Sequence, residues 1–306
     1  MKAAVVSEFG RPPRYGEWPD PVAHSDHEQV VEVLAAGLHP RVRSQAGGSH
    51  YTSTDELPLV PGIDCVGRAA DGSLIYFVLP DVTLGSMAER TVVDVRRSIP
   101  LPADADVARL AAAMNPAMSS WVALKKRVAF EPGQSVLVLG ATGSAGQLAI
   151  QVARHLGAGE VIAAGRGRAR LDALGADRAI DLEAGDISLA GNVDIVLDYL
   201  WGPPAEAAIM PLLHGRDDGG RLLSWVQIGA VAGPTVALPS EALRQANIHF
   251  LGSGQGSVSA VGILETLPSL VEQVGSFSID VVSKPLAEVE SVWPERAGTE
   301  RVVLVP

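Results

Sequence analysis

The sequence predicts an α/β chain in which a doubly wound parallel sheet is inserted into a β-rich domain built from both termini. Three features point to it. Between about residues 135 and 251, short apolar strands alternate with helical stretches, the order of a parallel sheet covered on both faces. Upstream, roughly the first 110 residues read as β-segments broken by Gly and Pro. Downstream, the tail is too short for a domain of its own and is assigned to the β-rich part. The expected division is 1–114 and 257–306 around an inserted 115–256.

In chain order, Lys2–Val6, Gln29–Ala36 and Arg90–Asp94 have strand character, and Arg11-Pro12-Pro13 and Trp18-Pro19-Asp20-Pro21 are extended loops. Alanine-rich sequence predicts a helix over Asp106–Met114 and a second over Ser119–Val128, with Pro132-Gly133 leading into the next strand. Ser135–Leu139 is a buried strand and Ala145–Leu156 a helix ended by Gly157. Val161–Ala164 is a strand followed by a short helix, and Ala179–Asp181, Asp194–Asp198, Arg221–Val226 and Ile248–Leu251 continue the alternation. The tail predicts a helix over Val258–Val274 and strands over Ile279–Val282 and Arg301–Val305. No internal repeat or low-complexity segment interrupts the order.

Of the 306 residues, 47% are hydrophobic and 19% charged, which supplies a core and excludes a disordered chain. The formal net charge of -11 is spread along the chain and disfavours a nucleic-acid partner, which needs a basic face. Cys65 is the only cysteine, so intramolecular disulfides and cysteine-rich zinc or iron–sulfur sites are excluded. The first apolar run stops at Ser7-Glu8, short of a signal peptide. The longest charge-free run, between Glu131 and Arg154, is broken by Pro132 and several glycines, so no membrane span is expected. A soluble cytoplasmic protein is the expectation.

The most informative segment joins the Ser135–Leu139 strand to the helix after it, through Gly140-Ala141-Thr142-Gly143-Ser144-Ala145-Gly146. A dinucleotide-binding turn needs a tight bend, a point where backbone approaches the pyrophosphate, and close packing of helix on strand. Ala141, Gly143 and Gly146 stand at those three places in the G-x-G-x-x-G spacing, Ala replacing the first glycine. The helix N-terminus offers free N–H groups to phosphate. The plainer alternative is a packing turn that binds nothing. Twenty residues beyond Gly146 lies Arg166, within Gly165-Arg166-Gly167-Arg168-Ala169-Arg170, and no acid occurs between Glu160 and Asp172. An NAD site places Asp or Glu there for the ribose 2′-hydroxyl, whereas a 2′-phosphate needs cations. NADPH is therefore expected, the alternative being a solvated basic loop.

Taken with Leu59-Val-Pro-Gly-Ile-Asp-Cys-Val-Gly67, Leu174-Gly-Ala-Asp177, Val193-Asp-Ile-Val-Leu-Asp198 and the ending Arg301-Val-Val-Leu-Val-Pro306, the chain resembles a zinc-independent, quinone-oxidoreductase-like member of the medium-chain dehydrogenase/reductase superfamily. The resemblance covers essentially the whole chain. It implies a GroES-like catalytic domain split around a Rossmann domain, an NADPH-dependent reductase acting on a small molecule, and a homodimer paired through the edge strand Ile248–Leu251. Zinc-dependent relatives carry Gly-His-Glu where this chain has Gly62-Ile63-Asp64; Ile63 cannot ligate metal, and Cys65 reads as a small buried hydrophobe. His24 and His27, three apart, read as loop residues.

The resemblance also implies site residues. Ser119 matches a Ser or Thr that holds the nicotinamide carboxamide, the alternative being a helix N-cap. Tyr51 matches a tyrosine near the cofactor, the alternative being a surface aromatic. Gln227, Gly229, Ser253 and Gly254 fall on two loops that close over the nicotinamide. Tyr199 and Trp201 follow the fourth strand, where core packing is the simpler role. Where quinone reductases often have Asn-Pro-x-Asp, this chain has His39-Pro40-Arg41-Val42; His39 is a second catalytic candidate beside Tyr51. No Ser-His-Asp nucleophile, P-loop lysine or HExxH helix is present. Hydride transfer needs chiefly alignment in a dry site, so the acceptor stays open. A quinone or related activated carbonyl or alkene is expected, with an enoyl-thioester reductase or a non-catalytic NADPH sensor as the alternatives.

Overall fold

A strand without polar interruptions needs neighbours on both sides and cover on both faces. Ser135–Leu139 and Ile195–Asp198, buried along almost their whole length, lie at the centre of a six-stranded sheet. The computed structural model describes residues 1–80, 82–294 and 300–306. Its chain divides into two units, Met1–Asn115 with Leu267–Pro306, and Pro116–Thr266. In the second unit the strand order is Arg178–Asp181, Glu160–Gly165, Ser135–Leu139, Ile195–Asp198, Leu223–Gln227, Ile248–Gly252, and all pairs are parallel. The chain steps outward from Ser135–Leu139 to one edge, then returns to Ile195–Asp198 and steps outward to the other. That is the doubly wound Rossmann order, and the reversal falls between the C-terminal ends of the two central strands. Leu137, Leu139, Ile162, Val196, Ile209 and Trp225 fill one side of this sheet.

The first unit holds a mixed sheet. Its order is Val281–Pro285, Arg301–Val305, Glu28–Gly37, Asp64–Arg68, Leu74–Val78, Ser98–Pro100, with Arg90–Asp94 also paired to Glu28–Gly37. Lys2–Val5 and Arg14–Glu17 form a separate antiparallel pair. Ile63, Cys65, Phe77, Leu79 and Met87 are fully or almost fully buried in its core.

The structure corrects three element expectations. Asp106–Met114 and Ser119–Val128 are not separate helices: one α-helix runs Val107–Val122 and continues as a π-turn over Ala123–Arg127. Pro116 lies inside it and has no N–H for the Ala112 carbonyl. The Arg301 guanidinium donates to that carbonyl at 3.4 Å instead, which removes the reason for a break. The expected helix Val258–Val274 is two, Ala260–Leu264 and Leu267–Val274, because Pro268 cannot donate to the Leu264 carbonyl. The strand expected over Ile279–Val282 runs Val281–Pro285, set by its parallel register with Arg301–Val305.

Candidate nucleotide site

The glycine turn follows the central strand directly. Gly140 has φ +89°, so the tight bend falls on Gly140 and not on Ala141, which is buried and bonds its N–H to the Ala164 carbonyl at 3.0 Å. The place assigned to Ala141 was one residue late, because sequence spacing does not reveal which residue takes the left-handed conformation. Gly146 has the packing role: a Cβ there would stand 2.3 Å from the Gly140 carbonyl oxygen. Gly143 differs from both. Its φ is -78°, and a Cβ would meet only the Gly140 carbonyl oxygen, at 3.4 Å. The fold itself does not require glycine at 143.

Gly143 is the N-cap of the helix Ser144–His155, and no side chain caps it. Helix geometry leaves the N–H groups of Ser144, Ala145 and Gly146 directed outward from the first turn. Thr142 steadies the turn: its carbonyl accepts from Gln147 Nε2 at 3.1 Å, and its side chain lies within 3.3 Å of where a Gly165 Cβ would be. These groups fit a pyrophosphate approached by backbone. Gly143→Ala should therefore leave the melting temperature close to wild type and weaken nucleotide binding roughly tenfold, one charge-assisted hydrogen bond's worth. Gly146→Ala should lower the melting temperature clearly. Calorimetric titration beside thermal melts checks both.

At the end of the next strand Gly165 is buried, and Arg166, just beyond it, is exposed. The three arginines are not equivalent. Arg168 grips Asp172 through Nε at 3.0 Å and Nη2 at 2.9 Å, and also donates to the Ala179 carbonyl. Asp172 holds its pKa above the usual arginine value. Arg166 and Arg170 make no hydrogen bond or ion pair among the described residues. Arg166 was expected to take the 2′-phosphate with Arg168 and Arg170 sharing the load; of the three, Arg168 alone has an internal partner among the described residues.

At the other central strand, Asp198 is buried. Its Oδ1 accepts from Leu200 N (2.8 Å) and Trp201 N (3.0 Å), and its Oδ2 from Trp225 Nε1 (3.0 Å). Burial raises its pKa, against the pull of these three donors. Asp198 thereby shapes the turn in which Trp201 takes φ 50°, unusual for a large side chain. Tyr199 is buried, and its hydroxyl lies 2.9 Å from Ser119 Oγ. Ser119 lies mid-helix and is not an N-cap; its hydroxyl donates to the Pro116 carbonyl at 2.6 Å. Gln227 Nε2 donates to the Gly229 carbonyl at 2.9 Å, and Ser253 N to the Gln227 carbonyl at 2.9 Å. Gly254 N donates to Ser257 Oγ at 2.9 Å. A Cβ on Gly229 would stand 2.7 Å from the Tyr199 carbonyl oxygen. Ser119, Tyr199, Gln227 and Gly229 are thus gathered at the C-terminal edge of the sheet beside the glycine turn. Sequence reasoning missed Asp198 as the organiser of this turn and Gly140 as its partner.

The two catalytic candidates lie in the other unit. Tyr51 is 72% exposed, its ring 4.5 Å from that of His50. His39 is enclosed. Its Nε2 lies 2.8 Å from Asp64 Oδ1, and its Nδ1 lies 2.9 Å from Arg301 Nη2. Because a guanidinium only donates, Nδ1 accepts and Nε2 carries the proton that Asp64 receives. Asp64 Oδ2 accepts in turn from Tyr76 Oη at 2.8 Å. Both ring nitrogens of His39 are used, so neither is left for a substrate, which corrects its assignment as a catalytic residue. Burial and the neighbouring Asp64 push the Tyr76 hydroxyl well above its ordinary pKa, and burial does the same for the Cys65 thiol. Among the described residues, no three His, Cys, Asp or Glu side chains converge as metal ligands.

A doubly wound sheet with an uncapped glycine turn and a basic loop after its second strand defines a dinucleotide-binding protein. No protein-family profile matches the chain. Over its full length, and the full length of the relative, it is 32% identical to a probable NADPH-dependent quinone reductase of Emericella nidulans. It is 27% identical to the 2-methylene-furan-3-one reductase of Solanum lycopersicum, over 92% of the chain and 72% of that protein. The quinone oxidoreductase of Thermus thermophilus, whose crystal structures include a complex with NADPH, superposes with a TM-score of 0.83 at 30% identity, covering 100% of both chains. The chain belongs to the NADPH-dependent quinone oxidoreductases of the medium-chain dehydrogenase/reductase superfamily.

Proposed function

We propose that the chain reduces a quinone, or a related activated carbonyl or alkene, with NADPH and without zinc, as a cytoplasmic homodimer. The observation that carries the reading is the combination of an uncapped helix behind Gly143, a glycine the fold does not need, with Arg166, unpaired among the described residues, just beyond the adjacent strand. The backbone from Thr142 to Gly146 holds the pyrophosphate, and Gly165, Arg166 and Arg170 the phosphorylated ribose. Ser119, Gln227, Gly229, Ser253 and Gly254 border the nicotinamide half, and exposed Tyr51 serves the substrate. Reduced nicotinamide, when bound, supplies the hydride. The chain's task is alignment and exclusion of water; a reduced quinone anion takes its proton from solvent. Zinc independence rests on Ile63, which has no ligating atom, and on Asp64, whose oxygens are engaged by His39 and Tyr76.

NADPH oxidation measured across quinones, enones and enoyl thioesters tests the reading. Turnover with quinones or enones is expected. Turnover with enoyl thioesters alone would make the chain a thioester reductase, and tight NADPH binding without any turnover would make it a sensor. No helix among the described residues is long and apolar enough to cross a membrane. The homodimer rests on Ile248–Gly252, an edge strand of the six-stranded sheet that presents half-buried Phe250 and Leu251. Light scattering should give twice the chain mass; a monomer at micromolar concentration would refute it.

A further inference from the structure

The short helix Pro40–Ala46 buries Val42 and Ala46 in the core of the first unit and leaves Arg41 half-buried at its start, with no acid in its first turn. Arg41 Nη2 lies 3.5 Å from Thr52 Oγ1, and that hydroxyl lies 2.7 Å from His50 Nδ1. His50 Nδ1 also accepts from the Thr52 backbone N–H at 3.3 Å. It is therefore the ring nitrogen without a hydrogen, and the ring hydrogen is on Nε2. Thr52 gives its hydroxyl hydrogen to His50 and turns a lone pair to Arg41. The His50 ring in turn lies 4.5 Å from that of Tyr51, tilted by 30°. Arg41 is thus joined, through Thr52 and His50, to exposed Tyr51.

The chemistry of this group is one-sided. A guanidinium, an imidazole Nε2–H and a phenol hydroxyl all offer hydrogens, and none of the links from Arg41 to Tyr51 is a carboxylate. The buried carboxylate of the region is balanced without Arg41: Asp64 accepts from His39 and from Tyr76, and Arg301 stands on the far side of His39. The Arg41 charge is felt at the Tyr76 hydroxyl, where it opposes the rise in pKa, so it adds a cation to a network that is already matched. In a chain of net charge -11, a cation tied to the residue that serves the substrate selects that substrate by charge. We propose that the acceptor carries a carboxylate and that Arg41 is the specificity-determining residue that receives it beside Tyr51. A guanidinium meets a carboxylate with two parallel hydrogen bonds. The inference rests on the reading above, in which Tyr51 serves the substrate.

NADPH oxidation with two acceptors that differ only in charge tests it: a 1,4-naphthoquinone bearing a propionate side chain, and the methyl ester of the same compound. The methylenes of the chain insulate the ring, so the two have closely similar reduction potentials. The wild-type chain should favour the acid roughly tenfold in kcat/KM, through KM, the worth of one charge-assisted contact in a half-exposed site. The preference should fade as salt rises. Arg41→Gln should bring the ratio to about one, and Arg41→Lys should keep part of it. All three proteins should bind NADPH alike, which shows that the variants are folded. A wild-type ratio near one would overturn the proposal. So would an Arg41→Gln protein slowed equally on both acceptors, the result expected if Arg41 only fastens the Thr52 loop. A wild-type chain that binds NADPH and reduces neither acceptor would sink the quinone-reductase reading, and this one with it.

Discussion

Arg166→Ala should weaken NADPH binding roughly ten- to a hundred-fold while NADH binding stays close to wild type. The 2′-phosphate carries close to two negative charges, and a guanidinium meets it with paired, charge-assisted hydrogen bonds. In a partly exposed site one such bond is worth about 1.5–3 kcal/mol. Arg166 is exposed and has no internal partner among the described residues, so none of them competes for it. Arg168 already holds Asp172 and the Ala179 carbonyl, and Arg168→Ala should have much the smaller effect. Arg170 has no such partner, and the Arg166→Ala/Arg170→Ala pair should lose more than either alone. The preference should also shrink as salt rises and screens the contact. Equal affinity of the wild type for NADPH and NADH would overturn the assignment, as would unchanged NADPH binding in the double variant.

How far the sequence could be read follows from which interactions are local. The Ser135–Leu139 strand, the glycine turn and the helix after it were legible because each depends on neighbours within about a dozen residues. Gly146 was placed correctly for the same reason, since its packing partner is the Gly140 carbonyl six residues back. The errors came from long-range partners. The helix Val107–Val122 reads as two because nothing nearby shows that Arg301, at the far end of the chain, takes up the Ala112 carbonyl that Pro116 leaves open. His39 looked like a departure in a catalytic motif, but nothing local indicated that Asp64 and Arg301 would enclose it. The Ser119–Tyr199 contact joins residues 80 apart in the chain, and no spacing rule reaches that far.

Asp64→Asn should lower stability by about 3–5 kcal/mol, the usual effect of removing one partner from a buried charge pair. Arg301 is 5% exposed, and burial has already lowered its pKa to about 10 although Asp64 opposes that shift. Between the two charges stands neutral His39, which accepts from the arginine and donates to the carboxylate. An amide at 64 can still accept from His39, but it meets the Tyr76 hydroxyl with an N–H group and no longer neutralises Arg301. Arg301→Met should be equally harmful from the other end, because it strands the carboxylate and reopens the Ala112 carbonyl. Replacing the set together, as Asp64→Leu, His39→Leu and Arg301→Met, should recover most of the loss, since no buried charge is then left without its partner. In thermal melts the single variants should fall by roughly 10 °C, at about 2–4 °C per kcal/mol for a unit of this size. Single variants that melt within a degree or two of wild type would mean that the network is hydrated in solution, and a triple variant no better than Asp64→Asn would mean that shape, not charge, holds this part of the core together.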